Sequence, residues 1–144
     1  MKITTKIILL ILSILSTLTY SADIEIIIEN IQPISGNLSV AIDTSNTFSK
    51  DNKSDSIFSV RQKVSKSNHK IVINNVKAGT YAISILHDEN NNHKLDTNFF
   101  GIPYEGYGFS NNIIGYFGKP NFKEVSFNIN KDTIKKTFNI KLVR

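Results

Sequence analysis

The sequence contains no cysteine among its 144 residues. This absence excludes disulfide bonds, thiolate metal sites and lipid attachment through an N-terminal cysteine. A domain without such covalent support depends on its apolar core, and about 120 residues are enough to build one. The length of the chain suits one domain rather than two.

Helical periodicity is the second feature that the sequence lacks beyond its N-terminal segment. Apolar and polar residues instead alternate in short runs separated by polar turns, a period of two that is typical of β-strands with one buried face. The runs cover residues 24–28, 38–42, 58–64, 71–76, 81–86, 125–129 and 138–142. This pattern predicts an all-β domain over residues 22–144, a single seven-stranded antiparallel β-sandwich with a long Gly/aromatic loop.

The N-terminal segment has the features of an export signal. Lys2 and Lys6 form a basic start, residues 7–18 are almost wholly apolar, and small residues follow near Ser21. This order is typical of a secretory signal peptide. An apolar run of about 12 residues is too short for a bilayer core that needs roughly 20. We therefore predict a signal peptide over residues 1–21 that is cleaved after Ser21. The processed chain is expected to be periplasmic or secreted, with no stable membrane span.

The net charge of the chain is a mild +5. Loss of Lys2 and Lys6 with the signal peptide lowers it to +3, and the remaining excess is spread along the chain. A nucleic-acid surface requires a concentrated basic patch. We therefore expect no nucleic-acid partner.

The segment that follows the 81–86 run carries oxygen donors at the spacing of a calcium loop. The positions that supply ligands in such a loop are occupied here by Asp88, Asn90, Asn92, Lys94 and Asp96. Lys94 would contribute its backbone carbonyl and the other four their side-chain oxygens. Calcium prefers about six to eight oxygen ligands, and a tightly curled loop can deliver several of them from one side. The spacing therefore makes calcium a candidate cofactor.

The loop departs from the calcium pattern at two positions. His93 stands where glycine normally supplies a positive φ, and Phe99 stands where a bidentate glutamate is usual. Leu95 matches the usual inward apolar residue, and Glu105 would add a carboxylate if it folded back. Such a set predicts a weak site suited to the millimolar calcium found outside cells. The alternative is a metal-free loop of Asx turns, in which the same side chains bond nearby backbone N–H groups.

Aromatic residues and glycines are concentrated beyond this loop. Eight of the fourteen aromatic residues and five of the seven glycines lie within residues 99–122. Aromatic side chains spaced by glycine can present flat faces to a glycan or to a protein at the cell envelope. They can equally pack as a small core under the loop. The predicted partner face comprises His87, Tyr104, Tyr107, Phe109, Asn111 and Tyr116.

The sequence gives little support for catalysis. His87, Asp88 and Ser110 are the residue types of a hydrolytic triad, but neighbouring residues of a strand point to opposite faces. Ser110 also lacks the sequence context of a nucleophile elbow. We therefore expect a non-enzymatic binding or accessory module, and a hydrolase is the weaker alternative.

Several motifs together are specific enough to indicate a family. They are Gly79-Thr80-Tyr81, His87-Asp88-Glu89-Asn90, Leu95-Asp96 and Gly101-Ile102-Pro103-Tyr104-Glu105-Gly106-Tyr107-Gly108-Phe109-Ser110. With these motifs the chain resembles DUF2141, a family of uncharacterised secreted bacterial proteins, over roughly residues 24–142. The resemblance implies export and a prealbumin-like or carboxypeptidase-regulatory-like β-sandwich, and it suggests no enzyme. His93 departs from the family pattern, which usually has glycine at that position.

Overall fold

The computed structural model describes residues 20–50, 55–115 and 118–144. These residues form eight strands: β1 Ser21–Glu29, β2 Asn37–Asp43, β3 Phe58–Lys63, β4 His69–Lys77, β5 Gly79–Asp88, β6 Gly106–Phe109, β7 Phe127–Ile129 and β8 Lys135–Lys141. They also form two one-turn helices, α1 Ser45–Phe48 and α2 Phe122–Val125, and a 3-10 turn at Ser110–Asn112. The predicted signal peptide lies outside the described residues except for Tyr20 and Ser21.

The strands form two sheets. The first has the order β4-β1-β8, and the second has the order β3-β2-β5-β6 with β7 also paired to β5. The prediction of an all-β chain is confirmed, but the described residues contain eight strands rather than seven. The additional strand is β6, whose two glycines interrupt the apolar alternation that marks the other strands. The prediction of uniformly antiparallel pairing is also wrong, because β8 runs parallel to β1.

Strand β1 lies at the centre of the first sheet. Its side chains alternate between an apolar face and a charged face. Ile24, Ile26 and Ile28 are fully buried. On the opposite face, the carboxylate of Glu25 forms ion pairs with Lys70 of β4 at 3.0 Å and with Lys135 of β8 at 2.7 Å. These cross-strand bonds lower the pKa of Glu25 below its usual value. The outer face of the sheet is therefore fixed by charge and its inner face by apolar packing.

The main core draws on buried residues of both sheets. The isoleucines of β1 join Leu38, Val40 and Ile42 of β2 with Ile83 and Ile85 of β5. Burying one such side chain stabilises the fold by about 1.5–3 kcal/mol. A second, smaller cluster lies on the other face of β5 and contains Phe48, Ala82, Phe109 and Val125. The short helices α1 and α2 therefore cover the second sheet on the side away from the main core.

Strand β5 positions the candidate site at its C-terminal end. The side chain of His87 falls on the face of Ile83 and Ile85, and that of Asp88 falls on the face of Ala82. The two residues are thus directed to opposite sides of the sheet, as the sequence predicts. Within residues 20–50, 55–115 and 118–144, no helix is long and apolar enough to cross a membrane.

Candidate functional site

The loop between β5 and β6 is held at its base by Glu105. This side chain is 4% exposed, and its two oxygens accept hydrogen bonds from the backbone N–H groups of Glu89 at 2.9 Å and Asp96 at 3.1 Å. One carboxylate therefore links the start of the loop to its middle and its end. The role of Glu105 as an additional metal ligand stays a prediction, and in this structure each of its oxygens accepts one N–H group.

Asp88 is an anchor of the same loop. It is fully buried, and its Oδ2 accepts hydrogen bonds from the Arg61 guanidinium at 2.7 Å and from the His93 N–H at 2.9 Å. Its Oδ1 accepts a hydrogen bond from the Asn92 N–H at 3.1 Å. Burial raises the pKa of Asp88, but Arg61 and the backbone donors outweigh that effect and hold it below its usual value. Asp88 is therefore a charged, fully bonded structural group.

Three of the predicted ligands do converge. The Asn90 side-chain amide donates to Asp96 Oδ2 at 2.5 Å, and the Asn92 amide donates to both oxygens of Asp96 at 2.9 Å. The Asn92 Oδ1 accepts a hydrogen bond from the N–H of Lys94 at 2.9 Å. These bonds curl the loop in the way that Asx turns do without a metal. The loop thus combines calcium-like spacing with hydrogen bonds that complete the turn by themselves.

The loop meets one requirement of the calcium pattern in its backbone and fails two others in its side chains. His93 has φ 67°, so the predicted need for a left-handed residue at this position is confirmed. Leu95 is 39% exposed, so the expectation that it points inward is wrong. Phe99 is 97% exposed and replaces the glutamate that would close a full site.

These donors fit calcium only weakly. Asp88 faces a guanidinium and Glu105 accepts two backbone N–H groups, so Asp96 is the carboxylate of the set that bonds neither a cation nor the backbone of the loop base. The amides of Asn90 and Asn92 and the carbonyl of Lys94 would complete a set that leaves much of the ion's coordination to water. Among the described residues, no group of three or more His, Cys, Asp or Glu side chains is placed to hold a metal.

The far end of the loop exposes apolar side chains. Phe99 and Phe100 are 97% and 83% exposed, and their rings meet edge to face at 5.6 Å. The Asn98 Oδ1 accepts hydrogen bonds from the N–H groups of Phe100 and Ile102 at 2.9 and 3.0 Å, which shapes the turn under them. We call Phe99, Phe100, Ile102 and Tyr104 the apolar tip. The sequence prediction missed its first three members, although the polar residues around them were a signal that this segment is a turn.

The predicted partner face is divided by the structure. Tyr104 is exposed and belongs to the apolar tip. Phe109 is buried and Tyr107 half-buried, because both pack in the smaller core. The Asn111 side chain is exposed and donates to the backbone carbonyls of Glu124 and Ser126 at the C-terminal end of α2. Tyr116 lies outside the described residues. The prediction of one continuous exposed face is therefore wrong for Phe109 and His87, which are buried.

His87 and Ser110 have separate structural surroundings. His87 is fully buried, with Nε2 at 2.8 Å from the carbonyl oxygen of Ser35. The Ser110 hydroxyl is also buried, accepting a hydrogen bond from the Ile83 N–H at 2.9 Å and donating one to the carbonyl of Val125 at 2.5 Å. Both hydrogen-bonding roles of that hydroxyl are thus used by the backbone.

These features define an all-β chain of two sheets in which a long, internally bonded loop follows the central strand of the second sheet. The chain belongs to DUF2141, a family described as uncharacterized and conserved in bacteria, because the model of that family matches residues 26–137. The resemblance inferred from the loop motifs is thereby confirmed. No curated protein and no solved structure matches the chain.

Proposed function

We propose that this chain is an exported, non-enzymatic binding module that docks a protein of the cell envelope through its apolar tip. Its fold would be a β-sandwich of the prealbumin-like or carboxypeptidase-regulatory-like type. The shared core of two sheets supports that fold, and the basic and apolar order of residues 1–21 supports export. The observation that carries the proposal is the exposure of Phe99 and Phe100 at the end of a hydrogen-bonded loop.

The chemistry of the tip favours a concave apolar pocket on a protein. Each phenylalanine left in water forgoes about 1.5–3 kcal/mol of burial. Phe99, Phe100 and Ile102 offer no side-chain hydrogen bond, whereas a glycan surface requires many such bonds. Asn98 and Glu105 hold the backbone beneath these residues, so the loop is shaped before it meets a partner. Four side chains bury less than the roughly 800 Å² per partner of a stable complex, so we expect a transient contact.

Site-specific photo-crosslinking tests this proposal in cells that export the protein. A photoreactive phenylalanine analogue at Phe99 should give a covalent adduct of discrete mass. The same analogue at Ile134, which is 85% exposed on the turn before β8, should give none. The crosslinked protein, once identified and purified, should bind the wild type, and Phe99→Ser with Phe100→Ser should weaken that binding about tenfold or more. Ile134→Ser should leave the affinity unchanged.

Two results would contradict the proposal. One is a Phe99 analogue that yields no discrete adduct. The other is a purified partner that binds the double serine variant as tightly as the wild type. Binding of the wild type to phospholipid vesicles, lost in the double variant, would assign the tip to a membrane surface instead.

Calcium binding is the second candidate function, and the convergence of Asn90, Asn92 and Asp96 favours it. The ion would replace the amide–carboxylate bonds with oxygen contacts and stiffen the loop beneath the tip. At a calcium concentration of about ten times the dissociation constant, the expected stabilisation is roughly 1.4 kcal/mol. Thermal unfolding in millimolar calcium should therefore occur a few degrees higher than in chelator. Asp96→Ala should abolish this increase, and Asp132→Ala, which removes an exposed carboxylate elsewhere, should preserve it. Equal melting temperatures with calcium and with chelator would refute this candidate.

A further inference from the structure

An open cavity of about 520 Å³ lies at the base of the loop, on the side of the sheet away from Asp88. It forms where the chain after β8 passes the β1–β2 connection and the start of β6. Its polar lining comes from Asn30, Gln32, Glu89 and Arg144, and its apolar lining includes Pro33 and Leu142. The size is within the range of small-molecule sites, about 300–1,000 Å³.

The walls of this cavity are fixed by the backbone. The N–H of Leu142 donates to the carbonyl of Glu29 at 3.0 Å, and the Asn30 amide donates to the carbonyl of Leu142 at 2.9 Å. On the other side, Tyr107 and Val143 exchange two backbone hydrogen bonds of 2.9 Å. The segment after β8 is thus tied to both sheets, and the cavity between them is formed in advance of any ligand.

An unpartnered nitrogen lies behind the cavity wall, next to the lining residues Glu89 and Gly106. His87 Nε2 is 2.8 Å from the Ser35 carbonyl, a pure acceptor, so Nε2 carries the proton. In the neutral ring Nδ1 is then an acceptor, and it is buried without a hydrogen-bond partner. Nδ1 faces two lining residues. It is 4.0 Å from Glu89 Oε1, and a Cβ atom at Gly106 would lie 3.5 Å from it. In that form Nδ1 and the Glu89 carboxylate are both acceptors, so a donor between them would satisfy both, and among the described residues none supplies it.

The cover of this nitrogen is a pair of side chains that can rotate. Glu89 forms an ion pair with Arg144, which also donates to the carbonyl of Gln32 at 2.7 Å. The two side chains are 23% and 48% exposed, so solvent reaches both. They are the ionised residues of the lining, and their charges cancel. A charged ligand would leave the Glu89 or the Arg144 charge uncompensated, whereas a neutral ligand would leave the ion pair balanced.

We infer that this cavity binds a small neutral polyhydroxy compound, a sugar ring. One hydroxyl donates to His87 Nδ1, and a neighbouring hydroxyl accepts from Arg144 and donates to Glu89. Pro33 and Leu142 contact the apolar C–H face of the ring. Vicinal hydroxyls suit this arrangement because each both donates and accepts, which matches an acceptor nitrogen, a carboxylate and a guanidinium placed together. The site is distinct from the apolar tip and does not depend on the function proposed for it.

Nuclear magnetic resonance of the purified, histidine-¹⁵N-labelled chain tests the inference with four probes: glucose, galactose, mannose and N-acetylglucosamine. At least one sugar should shift the Nδ1 resonance, with a dissociation constant on the order of 1 mM. Glu89→Gln should weaken that binding about tenfold. Glu25→Gln, which removes a carboxylate from the outer face of β1, should leave it unchanged.

Gly106→Ala provides an independent test, because its Cβ would lie 3.2 Å from that of His87 and 3.5 Å from Leu142. The added methyl group should abolish the sugar-dependent shift. A circular dichroism spectrum like that of the wild type would show that this variant is folded. Failure of all four sugars to move the Nδ1 resonance at roughly 100 mM would overturn the inference. So would a stronger response to methylammonium or to Zn²⁺, since either would assign the cavity to a cation. Phe99→Ser with Phe100→Ser should bind sugar normally, which separates this outcome from that of the partner assay.

Discussion

Replacing Glu105 by glutamine tests whether the loop is held by one carboxylate. The substitution preserves size and shape, so it leaves no cavity. It turns one of two acceptor oxygens into an NH₂ group that faces a backbone N–H donor, at Glu89 or at Asp96. A hydrogen bond to a charged group contributes about 1.5–3 kcal/mol, and the surviving bond loses its charge assistance. We expect the free energy of unfolding to fall by about 3 kcal/mol, a large share of the roughly 5–15 kcal/mol typical of a domain.

Urea unfolding of Glu105→Gln and the wild type measures this loss, and the melting temperature should fall by about 10 °C. Hydrogen exchange should show faster exchange at the amides of Glu89 and Asp96. The control is Glu124→Gln on the exposed start of α2, where the side chain accepts a hydrogen bond from the Asn121 N–H at 2.7 Å. It should cost about 1 kcal/mol or less. A Glu105→Gln change below about 0.5 kcal/mol would refute the proposed role of the carboxylate. A large loss of stability in which the amides of Glu89 and Asp96 remain protected from hydrogen exchange would also refute it.

Three further predictions concern the residues around this loop. Gly36→Ala should lower the free energy of unfolding, measured in urea, by several kcal/mol, on the order of the largest point-mutant effects. Its Cβ would lie 2.4 Å from the carbonyl oxygen of Asp88, at a backbone φ of +72°. Near-wild-type stability would contradict this close approach. Ser110→Ala should cost about 2 kcal/mol by the same measurement, since it leaves a buried N–H and a carbonyl without their hydrogen bonds, and a neutral effect would show that water replaces the hydroxyl. Because the pKa of Asp88 is lowered in the folded chain, its contribution to stability is complete above the unfolded value of 3.8 and is lost as the pH falls through the folded value. Arg61→Met should therefore shift acid unfolding, followed by circular dichroism, to higher pH, and an unchanged midpoint would contradict the ion pair.

A strand could be predicted from the sequence where apolar and polar residues alternate within the strand itself. Alternating isoleucines mark β1 because one face of that strand is buried and the other is charged. Strand β6 was missed because Gly106 and Gly108 have no side chains to alternate. Their lack of side chains instead allows close packing, since a Cβ at Gly108 would lie 2.9 Å from Ile140 of β8. The parallel pairing of β8 with β1 depends on tertiary contacts that no local pattern records.

The candidate site shows the same division. The left-handed turn at His93 was predictable because the spacing of the Asp and Asn residues requires it. The bond from Arg61 to Asp88 joins residues 27 positions apart, and the bond from Glu105 to the Glu89 N–H spans 16. Exposure of Phe99 and Phe100 also depends on which neighbours fold over them. Aromatic composition alone therefore gave the wrong members of the partner face.

The place of β1 between β4 and β8 has a consequence for the order of folding. The central strand of the first sheet comes early in the chain, but one of its two neighbours comes last, and contacts such as that of Asn30 with Leu142 span 112 positions. A nascent chain that lacks β8 leaves one edge of β1 unpaired and the isoleucine core open. Folding that waits for distant segments is slow. A core that closes only when the final strand is available would suit the export that we propose, because a secretion channel passes an extended polypeptide.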